Sequence, residues 1–76
     1  MVRCIAIDDE PLALRQIKSY IERTEQLQLV ATCRSAVDAL RVLESEQVDL
    51  LFVDIHMPDM NGLDFVRALT ASHYIV

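Results

Sequence analysis

The sequence predicts an α/β protein built on a doubly wound parallel sheet, and three observations lead to this prediction. Short apolar runs alternate along the 76 residues with segments whose apolar residues recur at helical spacing. The connections between them are short, which favours right-handed crossovers between parallel strands. The run at residues 48–55 is almost continuously apolar, as in a central strand that is covered on both faces.

The first strand and helix are predicted near the N-terminus. Residues 3–7 form an apolar run that stops at Asp8 and Asp9 and is interpreted as a buried strand. Pro11 suits the first turn of a helix, because no intrahelical acceptor exists there for the N–H that proline lacks. The predicted buried face of this helix, which runs to about residue 24, comprises Ala13, Ile17, Tyr20 and Ile21.

The remaining elements repeat this alternation. Residues 27–33 are predicted as the second strand, and Ser35 as the N-cap of a helix that ends near Glu46. The third strand ends at Asp54, a turn-rich loop covers residues 56–62, and a fourth strand starts at Tyr74. The apolar positions of the second and third helices are Ala36, Ala39, Leu40 and Leu43, and then Leu63, Phe65, Val66 and Leu69.

Composition excludes several classes of protein. At 53% hydrophobic and 25% charged residues, the chain is not a disordered segment, and no apolar run approaches the roughly 20 residues that span a membrane. The net charge of −5 argues against direct contact of this chain with nucleic acid or an anionic membrane. Two cysteines, Cys4 and Cys33, are expected to be small buried side chains in a reducing cytoplasm.

Acidic residues follow the two strands that this topology makes neighbours. Asp8 and Asp9 end the first strand and Asp54 ends the third, so with strands about 4.8 Å apart the three carboxylates should meet. Such close charges repel, so one carboxyl is expected to hold a proton unless a Mg²⁺ ion neutralises them. A carboxylate beside a metal can also take up a phosphoryl group as an acyl phosphate. The alternative, that these acids are solvated loop residues, is the better interpretation only for a single Asp.

Three segments have a recognisable pattern. Residues 7–11 read Ile-Asp-Asp-Glu-Pro, residues 50–54 read Leu-Leu-Phe-Val-Asp, and residues 56–62 read His-Met-Pro-Asp-Met-Asn-Gly. With these motifs the whole chain resembles the receiver domain of two-component response regulators, which implies a flavodoxin-like fold. The Asp-Asp-Glu-Pro-Leu-Ala form of the first motif is most similar to receivers that precede a LytTR-type DNA-binding domain.

The resemblance implies a role for each matching acid. Asp54 would be the phosphoacceptor that takes a phosphoryl group from a histidine kinase. Asp9 would ligate Mg²⁺ directly and Asp8 through a water molecule, with Asp54 as a further ligand. The domain would be a cytoplasmic phosphoacceptor rather than an enzyme.

Four residues of the loop also match the pattern. The backbone carbonyl of His56 would complete the Mg²⁺ site, so that its side chain would be incidental. Met57 and Pro58 would shape the loop, and Gly62 would permit the turn into the third helix.

The same resemblance implies that residues 1–76 are a partial receiver that stops after the start of the fourth strand. The lysine that such domains carry after a fifth strand has no counterpart, since Lys18 lies within the first helix. We therefore expect impaired switching, and self-association through the exposed edge of the fourth strand. DNA would be contacted only through an output domain that this chain lacks.

Two other functions are compatible with parts of the pattern. One is an interaction module on the same scaffold that works without phosphorylation. The other is a Mg²⁺-dependent phosphatase of the haloacid-dehalogenase type, but that chemistry needs a second acid two residues after the nucleophile. His56 stands at that position.

Overall fold

A computed structural model describes residues 1–54 and the strand Tyr74–Ile75. The described elements, in chain order, are β1 (Val2–Ile7), α1 (Pro11–Glu22), β2 (Leu27–Cys33), α2 (Ala36–Ser45), β3 (Leu50–Val53) and β4 (Tyr74–Ile75). The predicted loop with His56, Met57, Pro58 and Gly62 lies outside the described residues, as does the predicted third helix.

The four described strands form one parallel sheet in the order β2-β1-β3-β4. This arrangement confirms the predicted α/β class and places β1 between β2 and β3. Ile7, the last residue of β1, pairs with Cys33 on one side and with Val53 on the other. β4 lies at one edge of the described sheet, and the expected self-association through it stays a prediction. Neither described helix has the length and apolarity that a membrane crossing requires.

β1 is the most buried of the described strands, because it lies between β2 and β3 and contacts both α1 and α2. Its last four residues, Cys4, Ile5, Ala6 and Ile7, are fully buried. Successive side chains point to opposite faces of the sheet. Ile5 and Ile7 pack with α2 in a cluster whose other buried members are Cys33, Ala36, Ala39, Val48 and Leu51. Cys4 and Ala6 therefore lie on the face covered by α1, whose buried side chains are Leu14 and Ile21.

The predicted buried face of α1 was partly wrong. Leu14 is buried but was not predicted, whereas Tyr20 is 55% exposed. The physical reason is that α1 packs over β1 and β2, so the side of the helix that bears Tyr20 is turned toward β3. There the ring of Tyr20 meets Phe52 edge to face, with 6.5 Å between ring centroids.

β3 is shorter than the predicted run of residues 48–55. The N–H of Asp49 donates to the carbonyl of Arg3 at 2.8 Å, and the N–H of Arg3 donates to Oδ2 of Asp49 at 3.0 Å. The second bond replaces a backbone acceptor with a carboxylate, so regular pairing starts only at Cys4 and Leu50. The side chain of Arg3 also donates to the carbonyl of Gln47 at 2.7 Å and pairs with Glu46 at 2.8 Å. Arg3 thus ties the end of α2 to the amino edge of the sheet.

Both cysteines are free and buried, as predicted. Burial raises the pKa of the Cys4 thiol and of the Cys33 thiol. A thiol must lose its proton to act as a nucleophile or a metal ligand, so these two side chains are packing residues.

Ser35 caps α2 as predicted, and its removal should destabilise the fold. The N–H of Asp38 donates to the Ser35 hydroxyl at 3.2 Å. We expect Ser35→Ala to lower the free energy of unfolding by about 1 kcal/mol, measured by urea denaturation. Ser19→Ala, in the exposed middle of α1, is the matched control and should cause no loss. An equal loss in both variants would contradict the role of the cap.

Candidate functional site

Two backbone hydrogen bonds bring the ends of β1 and β3 together. The N–H of Asp54 donates to the carbonyl of Ile7 at 2.9 Å, and the N–H of Asp8 donates to the carbonyl of Cys33 at 3.0 Å. Because Ile7 pairs with Val53, the next residues of the two strands, Asp8 and Asp54, lie side by side. This position is the carboxyl edge of the parallel sheet, where ligands of such folds bind.

Three carboxylates form a cluster at this edge. One carboxylate oxygen from each of Asp8, Asp9 and Asp54 lies within 4.8 Å of the others. Asp8 and Asp54 are half-buried, whereas Asp9 is exposed. The structure therefore brings together the three acids that were predicted to converge, although they are contributed by strands far apart in sequence.

The backbone after β1 turns sharply around Asp8. Oδ1 of Asp8 accepts a hydrogen bond from the N–H of Glu10 at 2.9 Å, an arrangement typical of an Asx turn. Glu10 is the N-cap of α1, and its own side chain accepts from the N–H of Leu12 at 3.2 Å. Glu10 was not among the residues with a predicted role. An acid directly before Pro11 was the signal, since proline at the first helical position marks the preceding residue as the N-cap.

The surroundings of Asp8 change its pKa. Burial raises the pKa of Asp8, the hydrogen bond from the Glu10 N–H opposes this rise, and Asp54 adds to it through its charge and a side-chain hydrogen bond. The charge of Asp9 raises the pKa of Asp8 further. The direction is the one expected for carboxylates that compete for one proton in a partly desolvated place.

The cluster fits a small divalent cation. Carboxylate oxygens are hard ligands, and Mg²⁺ prefers such oxygens while keeping several of its waters. Ligand oxygens on opposite sides of Mg²⁺ are about 4.2 Å apart. Oxygens within 4.8 Å of one another can therefore be bridged by direct ligation from two carboxylates and a water to the third. Asp9 is exposed, so its side of the cluster is open to water.

The comparison with known families agrees with this geometry. The family model of the response regulator receiver domain matches residues 4–76. The chain belongs to the response regulator receiver domain family.

Relatives and solved structures extend the comparison. This receiver is 33% identical over 78 residues to the transcriptional regulatory protein BtsR of Escherichia coli K12, covering 100% of this chain and 33% of BtsR. It is 29% identical to the protein-glutamate methylesterase/protein-glutamine glutaminase of Bacillus subtilis, over 91% of this chain and 19% of that protein. The chain thus spans about a third of the length of BtsR and less of the methylesterase.

The structural neighbours share the fold. The receiver superposes with a TM-score of 0.88 on the response regulatory domain of the protein mrkE from Klebsiella pneumoniae, at 25% identity, over 97% of this chain and 63% of that one. The MaeR response regulator bound to beryllium trifluoride gives a TM-score of 0.88 at 23% identity, over 100% of this chain and 65% of that one. These neighbours confirm the predicted flavodoxin-like receiver fold.

Neutralising Asp8 should stabilise the metal-free receiver at neutral pH. The folded chain holds the Asp8 proton more strongly than the unfolded chain, because folding raises the pKa of Asp8 above its ordinary value of 3.8. The resulting stability is fully present below pH 3.8 and is lost as the pH rises through the folded pKa. Asp8→Asn keeps an acceptor for the Glu10 N–H and removes this loss. We expect a gain in the free energy of unfolding below about 1 kcal/mol at pH 7, since the cluster is open to solvent.

The measurement is urea denaturation with a chelator present, between about pH 3 and pH 8. Glu44→Gln, which neutralises an exposed acid of α2, is the control for net charge. A gain at pH 7 that persists unchanged at pH 3, or that Glu44→Gln reproduces, would contradict the prediction.

Proposed function

We propose that this receiver takes a phosphoryl group from a histidine kinase onto Asp54, with Mg²⁺ held by Asp8, Asp9 and Asp54. The observation that supports it is the meeting of three carboxylates within 4.8 Å at the carboxyl edge of a receiver fold. The backbone carbonyl of His56 is proposed as a further Mg²⁺ ligand on the resemblance alone.

Asp54 is the nucleophile of the proposed reaction. A carboxylate oxygen of Asp54 attacks the phosphorus, a new P–O bond forms, and the bond between phosphorus and the donor breaks, its electron pair leaving with the donor. Asp54 must be ionised to attack. Asp9 would hold Mg²⁺ directly and Asp8 through a water molecule. Mg²⁺, when bound, supplies positive charge against the oxygens of the transferring group.

The position of the nucleophile favours this chemistry. The bond from its N–H to the Ile7 carbonyl holds the backbone of Asp54 against the buried end of β1. This backbone hydrogen bond, directly after β3, restrains the position of Asp54 and so reduces the cost of orienting its carboxylate for attack.

A second proposal concerns the type of protein to which this receiver belongs. Relatives such as BtsR are named transcriptional regulatory proteins and are about three times as long as the matched segment. We propose that residues 1–76 are the receiver part of a cytoplasmic transcription regulator. DNA would then be contacted by another domain, of LytTR type, and not by this chain.

Phosphorylation of Asp54 is the direct test. We expect incubation with acetyl phosphate and Mg²⁺ to add one phosphoryl group to the wild type and none to Asp54→Asn, measured by intact-mass spectrometry. Asp49→Asn is the matched control, because Asp49 lies at the opposite edge, just before the same strand, and asparagine can keep its bond from the Arg3 N–H. That variant should be phosphorylated like the wild type.

The outcomes separate the candidate functions. No addition to the wild type, with the fold intact by circular dichroism, would contradict the phosphoacceptor proposal and favour the interaction module. Addition to Asp54→Asn as well would place the acceptor elsewhere in the chain.

Mg²⁺ should stabilise the folded chain through the same acids. At a free concentration ten times its dissociation constant, the ion should raise the free energy of unfolding by about 1.4 kcal/mol. Asp9→Asn should weaken this effect strongly, since Asp9 is assigned as a direct ligand. The measurement is thermal or urea unfolding with Mg²⁺ against KCl of equal ionic strength. Equal stabilisation by KCl would mean simple screening of the acids and would count against a bound ion.

A further inference from the structure

A second surface of the receiver is positively charged, in contrast to the acidic cluster of Asp8, Asp9 and Asp54. A groove of about 360 Å³ runs between α1 and the end of β2, a volume within the range of small ligand sites. Three of the seven Lys and Arg residues of the chain line it: Arg15, Lys18 and Arg34. This concentration of cations is unusual for a chain with a net charge of −5.

The three cations have no carboxylate partner among the described residues. Within residues 1–54 and 74–75, the ion pairs are Arg3 with Glu46 and Arg41 with Asp38, and neither pair includes a residue of the groove lining. All three cationic side chains are exposed. No ion pair among the described residues offsets their mutual repulsion, so an anionic occupant would be attracted to all of them.

The rest of the groove is apolar. Leu14 lies at its base and is 7% exposed, and Pro11 forms part of the wall. The methylene stems of Arg and Lys side chains add apolar surface below their charged ends. A small inorganic anion would leave this surface uncovered, whereas a peptide with an apolar side chain between acidic ones would match both the charge and the apolar base.

The groove is also close to the acidic cluster in the fold. Pro11 follows Glu10, whose N–H binds Asp8, and Arg34 follows Cys33, whose carbonyl accepts the Asp8 N–H. Cationic and anionic surfaces therefore lie next to each other at the carboxyl edge of the sheet. A nucleic acid, with its long run of phosphates, would be repelled by the neighbouring acids, and a short acidic peptide can avoid them.

We propose that the groove lined by Arg15, Lys18 and Arg34 docks a short acidic segment of a partner protein, with an apolar side chain of that segment placed against Leu14. Docking does not require the phosphoacceptor chemistry, so the segment should bind without a phosphoryl donor or Mg²⁺.

The test uses a fluorescent synthetic peptide with one central leucine flanked by glutamates, titrated with the 76-residue chain and followed by anisotropy. We expect saturable binding that weakens with added salt. Arg34→Glu and Arg15→Glu should each weaken it by about tenfold, because reversal replaces an attraction with a repulsion. Arg41→Glu makes the same change in net charge on α2, outside the groove, and should leave the affinity within about twofold.

Two altered peptides test the chemistry of the occupant. A peptide with glutamines in place of the glutamates should lose binding, and one with serine in place of leucine should bind more weakly. Circular dichroism of each protein variant, matched to the wild type, ensures that a loss of binding is not a loss of fold.

Several results would overturn the proposal. The wild type could fail to bind the glutamate peptide, or Arg41→Glu could lose as much affinity as Arg34→Glu and Arg15→Glu. The glutamine peptide could bind as tightly as the glutamate peptide, or inorganic phosphate could displace the glutamate peptide completely. Tighter binding of a short single-stranded oligonucleotide would assign the groove to nucleic acid instead. If sedimentation showed that the peptide dissociates a dimer of the receiver, the occupant would be a second copy of this chain.

Discussion

The position of β1 between β2 and β3 is the constraint on which the rest of the described structure depends. Its four buried residues have a strand on each side and a helix on each face, so they contribute to both layers of the core. The same strand sets the register of its neighbours through Ile7, which pairs with both Cys33 and Val53. A shift of that register by one residue would exchange the two faces and separate the carboxylates.

Charge is distributed differently at the two ends of this strand. At the amino edge, Arg3 compensates two carboxylates, one through its backbone N–H and one through its guanidinium. At the carboxyl edge, the described residues place three carboxylates together, and burial, with the charges of Asp54 and Asp9, raises the pKa of Asp8. Both edges are built on the same strands, so the difference is not a requirement of the fold. Carboxylates held this close together are characteristic of functional sites, where stability is lost in exchange for reactivity.

α1 connects the acidic cluster to the cationic groove. Its N-cap, Glu10, is held by Asp8, so the turn that positions the cluster also sets where the helix begins. One side of the helix then packs over β1 and β2, and its exposed cations border the groove. Membership in the receiver family explains the cluster. The groove is a property of the particular side chains on this helix and strand.

Local patterns in the sequence were enough to predict most of the described backbone. The alternation of apolar runs with helical stripes identified the parallel α/β class, Ser35 identified the start of α2, and the bounds of β2 agree with the prediction. These features depend on spacing and on side chains that bond to their own backbone, and both can be recognised without knowing the neighbours in space.

Features that depend on contacts between residues far apart in the chain were determined only by the tertiary structure. Tyr20 has the spacing of a buried residue but is exposed, because the placement of α1 over β2 determines which side of the helix faces the core. Arg3 ends regular pairing with β3 through Asp49, a contact between residues that the sequence separates widely. The acids that follow β1 and β3 were identified from the sequence, but their separation and the raised pKa of Asp8 follow from the strand register and from burial. Register and burial are properties of the packed sheet, since they arise only when segments far apart in the chain come into contact.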